Sequence, residues 1–221
     1  MTVESLISSK RKLPLSALKK VKDLIQQLNA GDFLKKSLVF SLKESRPLMT
    51  HWSFSAKALE EKMFPDVDLK ADVSLFYQLR PLMDRNLLCF VPERENLCLS
   101  LTVKTVLKEE LSGFRNLTVL LDVEDVFQDV EAYEKAYLRL KEKGCKVAID
   151  THANELQYLD ADALDADFLC VPAGMSLKTQ TPLIWKGCPN SDYLTAGKEK
   201  GVFLFEGSGI NAFCQALEGK K

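Results

Sequence analysis

Apolar residues recur after Pro14 at Leu15, Leu18, Val21, Ile25 and Leu28. That helical spacing, closed by Gly31, predicts one amphipathic helix near the N-terminus. SLVFSLK, Ser37 to Lys43, predicts a strand, and HWSFSAKALEE predicts another strand running into a helix. Between Asp66 and Asp84 the positions Val73, Phe76, Leu79, Leu82 and Met83 predict a helix that contains Pro81. A regular rhythm follows: NLCLSLTV, NLTVLLDV, GCKVAID, DFLCVP, TPLIWKG and GVFLFEG are short, near-continuously apolar strand patterns. Helical patterns separate several of them, at Val103 to Leu111, Asp129 to Lys143 and Asn154 to Leu164. The clearest starts at Asp129 as N-cap and runs through Tyr133, Ala136, Tyr137 and Leu140, with basic residues in its last turn and Gly144 behind it.

Apolar strands alternating with helices predict an α/β protein, a parallel sheet covered by helices. Periodicity leaves open whether the sheet closes into a barrel. Functional groups in such sheets project from the C-terminal strand ends. Read in order, those ends carry Thr102 and Lys104, Asp122 and Asp125, then Asp150, Thr151 and His152, then Cys170 and Pro172, Lys186, and Glu206. GSGI, Gly207 to Ile210, has neither the following helix signature nor the lysine of a phosphate loop.

Composition narrows the classes. The 221 residues carry 30 basic and 31 acidic side chains, a net charge of -1, so no global field recruits nucleic acid or an anionic membrane. The first 36 residues differ, with eight Lys or Arg against three acids, which sets an N-terminal helical extension, 1–36, apart from a main domain, 37–221. The lysines of that helix, Lys19, Lys20 and Lys22, read as a solvated face. Apolar runs fall short of the ~18 residues of a membrane span, and the first 36 residues lack a signal-peptide pattern, so a cytoplasmic location is expected. The six cysteines form no C-x-x-C pair and several sit inside apolar runs, as reduced, packed thiols would. With His51 and His152 unpaired to any cysteine, the usual zinc-ligand spacing is missing.

From about Leu97 to about Gly207 the chain resembles an EAL domain, the bacterial cyclic di-GMP phosphodiesterase family. LCLSLTVKTVL resembles the strand that carries the family's metal-binding asparagine, and LLDVEDVF the strand with its E-x-T-E pattern. YEKAYLRLKEKGCKVAID is similar to the approach to D-D-F-G-x-G, and DTHANELQYL fills that motif's length. DALDADFLCVP resembles L-x-x-D-x-L-K-I-D, while LIWKGCP and FLFEG resemble E-G-V-E and Q-G-Y. The resemblance implies a modified TIM barrel, here abbreviated or irregular, because the segment from Val171 to Leu183 is too short for a helix with its connections.

It also implies a site with most of its chemistry replaced. Thr102 stands for the asparagine, Asp122 and Asp125 for the two acids of E-x-T-E, and Asp150 and Thr151 for the aspartate pair. Cys170 stands for the lysine that positions water, Lys186 for the E-G-V-E glutamate, and Glu206 for the Q-G-Y glutamine. No E-A-L-L-R motif is present; AKALEEKM lacks its arginine. An ammonium in a ligand's place repels a cation: two unit charges ~4 Å apart at an effective dielectric of ~20 repel by ~4 kcal/mol, and a dication doubles that. Lys186 is therefore expected to pair with Asp150 or Asp122 in place of a metal. A structural role is expected for Asp150, a loop position for His152, a buried apolar thiol for Cys170, and core packing for Trp185 and Phe205. No catalytic residue, metal or cofactor is expected. The expected function is a non-catalytic regulatory or scaffolding domain in bacterial signalling that binds another protein. A cyclic di-GMP receptor and a residual metal-dependent phosphodiesterase are the alternatives.

Overall fold

The computed structural model describes residues 22–23, 25, 30–63, 73–92, 96–154 and 160–219. Eight strands, β1 (Leu34–Ser41), β2 (Arg46–Phe54), β3 (Leu97–Ser100), β4 (Thr118–Asp122), β5 (Lys146–Asp150), β6 (Phe168–Pro172), β7 (Leu183–Lys186) and β8 (Leu204–Glu206), close into a barrel in sequence order. Every step from β2 round to β8 is parallel, whereas β1 meets β8 antiparallel, with Val39 opposite Glu206. Closure removes the sheet edges that an open arrangement would leave unpaired.

Strand alternation sorts the side chains into two layers. Val39, Met49, Cys98, Leu120, Ala148, Phe168, Cys170 and Ile184 form one buried cluster that fills the barrel. Phe40, Val171, Trp185 and Phe205, of the opposite parity, form another with Leu194, Ile210 and Cys214 from the covering helices α6 (Asp192–Glu199) and α7 (Ser208–Glu218). Trp185 and Phe205 are thus core residues, as expected, and the Trp185 indole N–H donates to the Met175 carbonyl at 2.6 Å. A helix does form here although its signature was not seen in the sequence: it begins inside GSGI, at Ser208. Two glycines explain how it fits: a Cβ on Gly207 or Gly209 would lie 2.3 Å from backbone atoms of Cys188 or Asn190.

Three further helices cover the strands: α3 (Val103–Lys108) follows β3, and α4 (Val123–Gln128) and α5 (Val130–Glu142) follow β4 in succession. The expected N-cap at Asp129 is present, its carboxylate accepting from the Ala132 N–H at 2.9 Å. Arg139 of α5 donates to the carbonyls of Leu107 and Glu109, satisfying acceptors left open where the short α3 ends. After β5 the described residues contain only a 3-10 turn, Asp162–Leu164, where a longer helix was expected; 155–159 lie outside the described residues. Between Pro172 and Leu183 the chain crosses without a helix, the irregularity that the short segment predicted.

The chain divides into two compact units. Lys36–Trp52 and Glu93–Lys221 form the unit just described, while Ser53–Pro92 groups with the residues before Lys36. In that second unit Ile25, Phe33, Leu59, Leu79 and Met83 form a buried cluster with α1 (Ala56–Met63) and α2 (Val73–Phe90), the latter running through Pro81. Of the helix expected after Pro14, Lys22, Asp23 and Ile25 are helical and the remainder lies outside the described residues. Asn86 donates to the Ile25 carbonyl at 2.7 Å.

Candidate functional site

Above the apolar filling, at the C-terminal ends of the parallel strands, the same inward parity carries polar groups. Ser100 follows Cys98, Asp122 follows Leu120, Asp150 follows Ala148, Lys186 follows Ile184, and Glu206 follows Leu204, each by two residues. His51 follows Met49 in β2, and Ser37 precedes Val39 in the reversed β1. The barrel mouth is therefore ringed by polar side chains, and they divide into two groups.

The first is an ion pair. Lys186 Nζ donates to Asp150 Oδ1, with about a fifth of each side chain still exposed. Burial alone would depress the Lys186 ammonium, but the charge of Asp150, its hydrogen bond and Glu206 outweigh it and leave Lys186 above its ordinary value. Of the two partners expected for Lys186, Asp150 is the one with which it pairs.

The second group is a chain of hydrogen bonds. Glu206 Oε1 accepts from the Ser37 hydroxyl at 2.5 Å and lies 2.8 Å from His51 Nδ1. On the far side of the ring, His51 Nε2 lies 2.8 Å from Ser100 Oγ. Burial works to raise the Glu206 carboxyl, but the facing His51, its hydrogen bond, the Ser37 hydroxyl and the Lys186 charge bring it down to about 2. An ionised carboxylate only accepts, so Nδ1 carries a hydrogen toward it.

The other expected positions serve the backbone. Thr102 caps α3, its Oγ1 accepting from the Thr105 N–H at 3.2 Å, and the Asp125 carboxylate accepts from the Val103 N–H of that helix at 2.6 Å. Asp122 caps α4 through the Glu124 N–H at 3.0 Å, and its second oxygen stands 3.7 Å from His152 Nε2. Thr151 donates its hydroxyl to the Cys170 carbonyl at 2.8 Å. Cys170 and Cys98 are buried, and burial with the nearby carboxylates pushes both thiols well above their ordinary value, which keeps them protonated and unreactive. Five of the six cysteines are buried; Cys89 is exposed, although its LLCF run reads as core.

A divalent cation, which wants several hard oxygen ligands at once, is poorly served by this donor set. Asp150 is held by an ammonium, Glu206 by an imidazole and a hydroxyl, and Asp125 by a helix N–H. Among the described residues no three His, Cys, Asp or Glu side chains group to hold a metal ion. The residues present do not fit a metal.

Sequence reading placed Thr102 at the mouth and overlooked Ser37, His51 and Ser100. Ser100 and Thr102 share parity, so alternation does not separate them. β3 ends at Ser100, which leaves Thr102 in the helix cap. The signal for His51 was its position two residues beyond the inward Met49.

No family model matches the sequence, and no curated protein matches it. Solved structures do match. The EAL domain of Xanthomonas citri FimX in complex with cyclic di-GMP superposes with a TM-score of 0.57 at 10% identity, covering 87% of this chain and 92% of that one. The Vibrio cholerae LapD S helix-GGDEF-EAL structure bound to cyclic di-GMP gives 0.62 at 10% identity, covering 88% and 57%. Klebsiella pneumoniae BlrP1 in its manganese and cyclic di-GMP complex gives 0.53 at 13% identity; this chain covers 54% of it, about half its length. These superpositions show that the chain, a closed eight-stranded barrel with β1 antiparallel to β8, has the fold of an EAL domain.

Proposed function

We propose that this chain is an EAL-like domain without phosphodiesterase activity, acting in cyclic di-GMP signalling as a regulatory or scaffolding element that binds another protein. The observation that carries the reading is the Lys186–Asp150 ion pair. Metal-dependent phosphodiester hydrolysis needs cations that bridge carboxylates, activate water and neutralise developing charge. Here a fixed ammonium neutralises the carboxylate, and the remaining acids cap helices or hold the imidazole. The fold shared with proteins solved in complex with cyclic di-GMP supports the signalling context. The eight positions Thr102, Asp122, Asp125, Asp150, Thr151, Cys170, Lys186 and Glu206 are read as vestiges of a phosphodiesterase site.

The test is hydrolysis of cyclic di-GMP with Mg²⁺ and with Mn²⁺, alongside calorimetric titration of each metal. No turnover and no saturable metal binding are expected; turnover lost in Asp150→Ala would restore the enzyme reading. Binding of cyclic di-GMP without hydrolysis is the second reading, favoured by the complexes named above, and titration of the metal-free protein with the dinucleotide decides it. Capture of one stoichiometric protein partner from native lysate, reproduced with purified components, would establish the scaffolding role. A cytoplasmic setting fits this reading, and among the described residues no helix is long and apolar enough to cross a membrane.

A further inference from the structure

The hydrogen-bonded chain at the mouth has an order that satisfying a buried carboxylate does not require. Serine, imidazole and carboxylate follow one another, Ser100 Oγ to His51 Nε2 at 2.8 Å and His51 Nδ1 to Glu206 Oε1 at 2.8 Å. They come from β3, β2 and β8, far apart in sequence and brought together only by barrel closure. His51 and Glu206 are buried, whereas Ser100 is partly exposed, so the reactive end of the chain is the end that solvent reaches. Ser37, buried, donates to the same Glu206 oxygen and holds the carboxylate, a positioning role distinct from that of Ser100. Nucleophile, base and orienting acid within hydrogen-bond reach define an activated serine by geometry, whatever fold carries them.

We propose that Ser100, His51 and Glu206 form a metal-independent nucleophilic relay that takes small, uncharged carboxylic esters. This goes beyond the reading above, which concerns phosphodiester hydrolysis and partner binding. The choice of an uncharged acyl group follows from the surroundings: the mouth already holds the Glu206 and Asp150 carboxylates, and below it lie Val39, Met49 and Leu120. As Ser100 Oγ bonds to the acyl carbon, its proton passes to His51 Nε2, and the imidazolium is held by Glu206 through Nδ1–H. Nε2 then returns that proton to the departing alkoxide, which leaves as the alcohol, with the acyl group on Ser100. Water repeats the sequence with His51 as base, releasing the carboxylic acid and restoring the serine.

The experiment uses the full chain and a fluorophosphonate probe, which forms a stable adduct only with an activated serine. Intact mass followed by peptide mapping is expected to place one adduct on Ser100, absent when the protein is first unfolded in urea. Loss of the general base in His51→Gln is expected to slow labelling about 10²-fold or more, and p-nitrophenyl acetate turnover is expected to fall in parallel. Because the map is read on the unaltered chain, the outcome does not depend on a variant folding. No adduct, an adduct elsewhere, or an unchanged labelling rate in a His51→Gln variant of native circular dichroism would overturn the proposal.

Discussion

Removing the ammonium from the Lys186–Asp150 pair gives the most direct reading of what holds the barrel mouth. Lys186→Met keeps most of the side-chain length and leaves the Asp150 carboxylate facing an apolar filling that includes Cys170 and Ile184. Breaking a buried pair by deleting one partner costs about 3–5 kcal/mol. Because roughly a fifth of each side chain is exposed, water relieves part of that penalty and the lower end, about 3 kcal/mol, applies. At an m-value of about 2 kcal/mol per M, the urea midpoint falls by about 1.5 M. The assay is equilibrium unfolding followed by fluorescence of the buried Trp185, whose backbone adjoins Lys186. Replacing both groups, Lys186→Met with Asp150→Leu, removes the orphaned charge and is expected to recover most of the loss. Since Lys186 sits above its ordinary value, its contribution is complete below pH ~10 and fades only as the pH rises through the folded-state value. The deficit should therefore be constant between pH 7 and 9. A single variant within about 0.5 kcal/mol of the parent, or a double variant no better than the single, would refute the claim that this pair replaces a metal in neutralising the mouth.

Other outcomes follow from the same geometry. Glu206, held at about 2 against an ordinary 4.5, contributes stability that is present above pH ~4.5 and lost as the pH falls toward 2; two to three units correspond to roughly 3 kcal/mol. Glu206→Gln should flatten that part of an acid-unfolding curve measured by circular dichroism. Gly197→Ala should cost about 1–3 kcal/mol in thermal or urea unfolding, since the added methyl would stand 2.3 Å from the Phe205 ring, itself packed edge-on against Trp185. Thiol titration of the native protein should count one fast-reacting cysteine, Cys89, and five more only after unfolding; two or more fast thiols would contradict the packing described.

The alternation of apolar strands with helices was legible along the chain because each element carries its own period. The α5 helix is the plainest case: Asp129, the Tyr133, Ala136 and Leu140 stripe, and Gly144 at φ +70° each make a local statement that the structure repeats. The missing helix after β6 was also legible, from length alone. The ion partner of Lys186 was narrowed to two acids by the resemblance of LIWKG to E-G-V-E, and the structure pairs it with Asp150.

What sequence order could not supply was which strand ends face each other across the mouth. Ser37, His51, Ser100 and Glu206 lie up to 169 positions apart, and no periodicity links them. Reversal of β1 places its early residues beside the end of β8, and closure between β1 and β8 completes the ring. Hydrophobic patterning is a property of a residue and its near neighbours, so it determined the elements, while the inward faces of strands apolar on both sides came from the structure. The hydrogen-bonded serine, imidazole and carboxylate is a property of closure, and only the tertiary structure decided it.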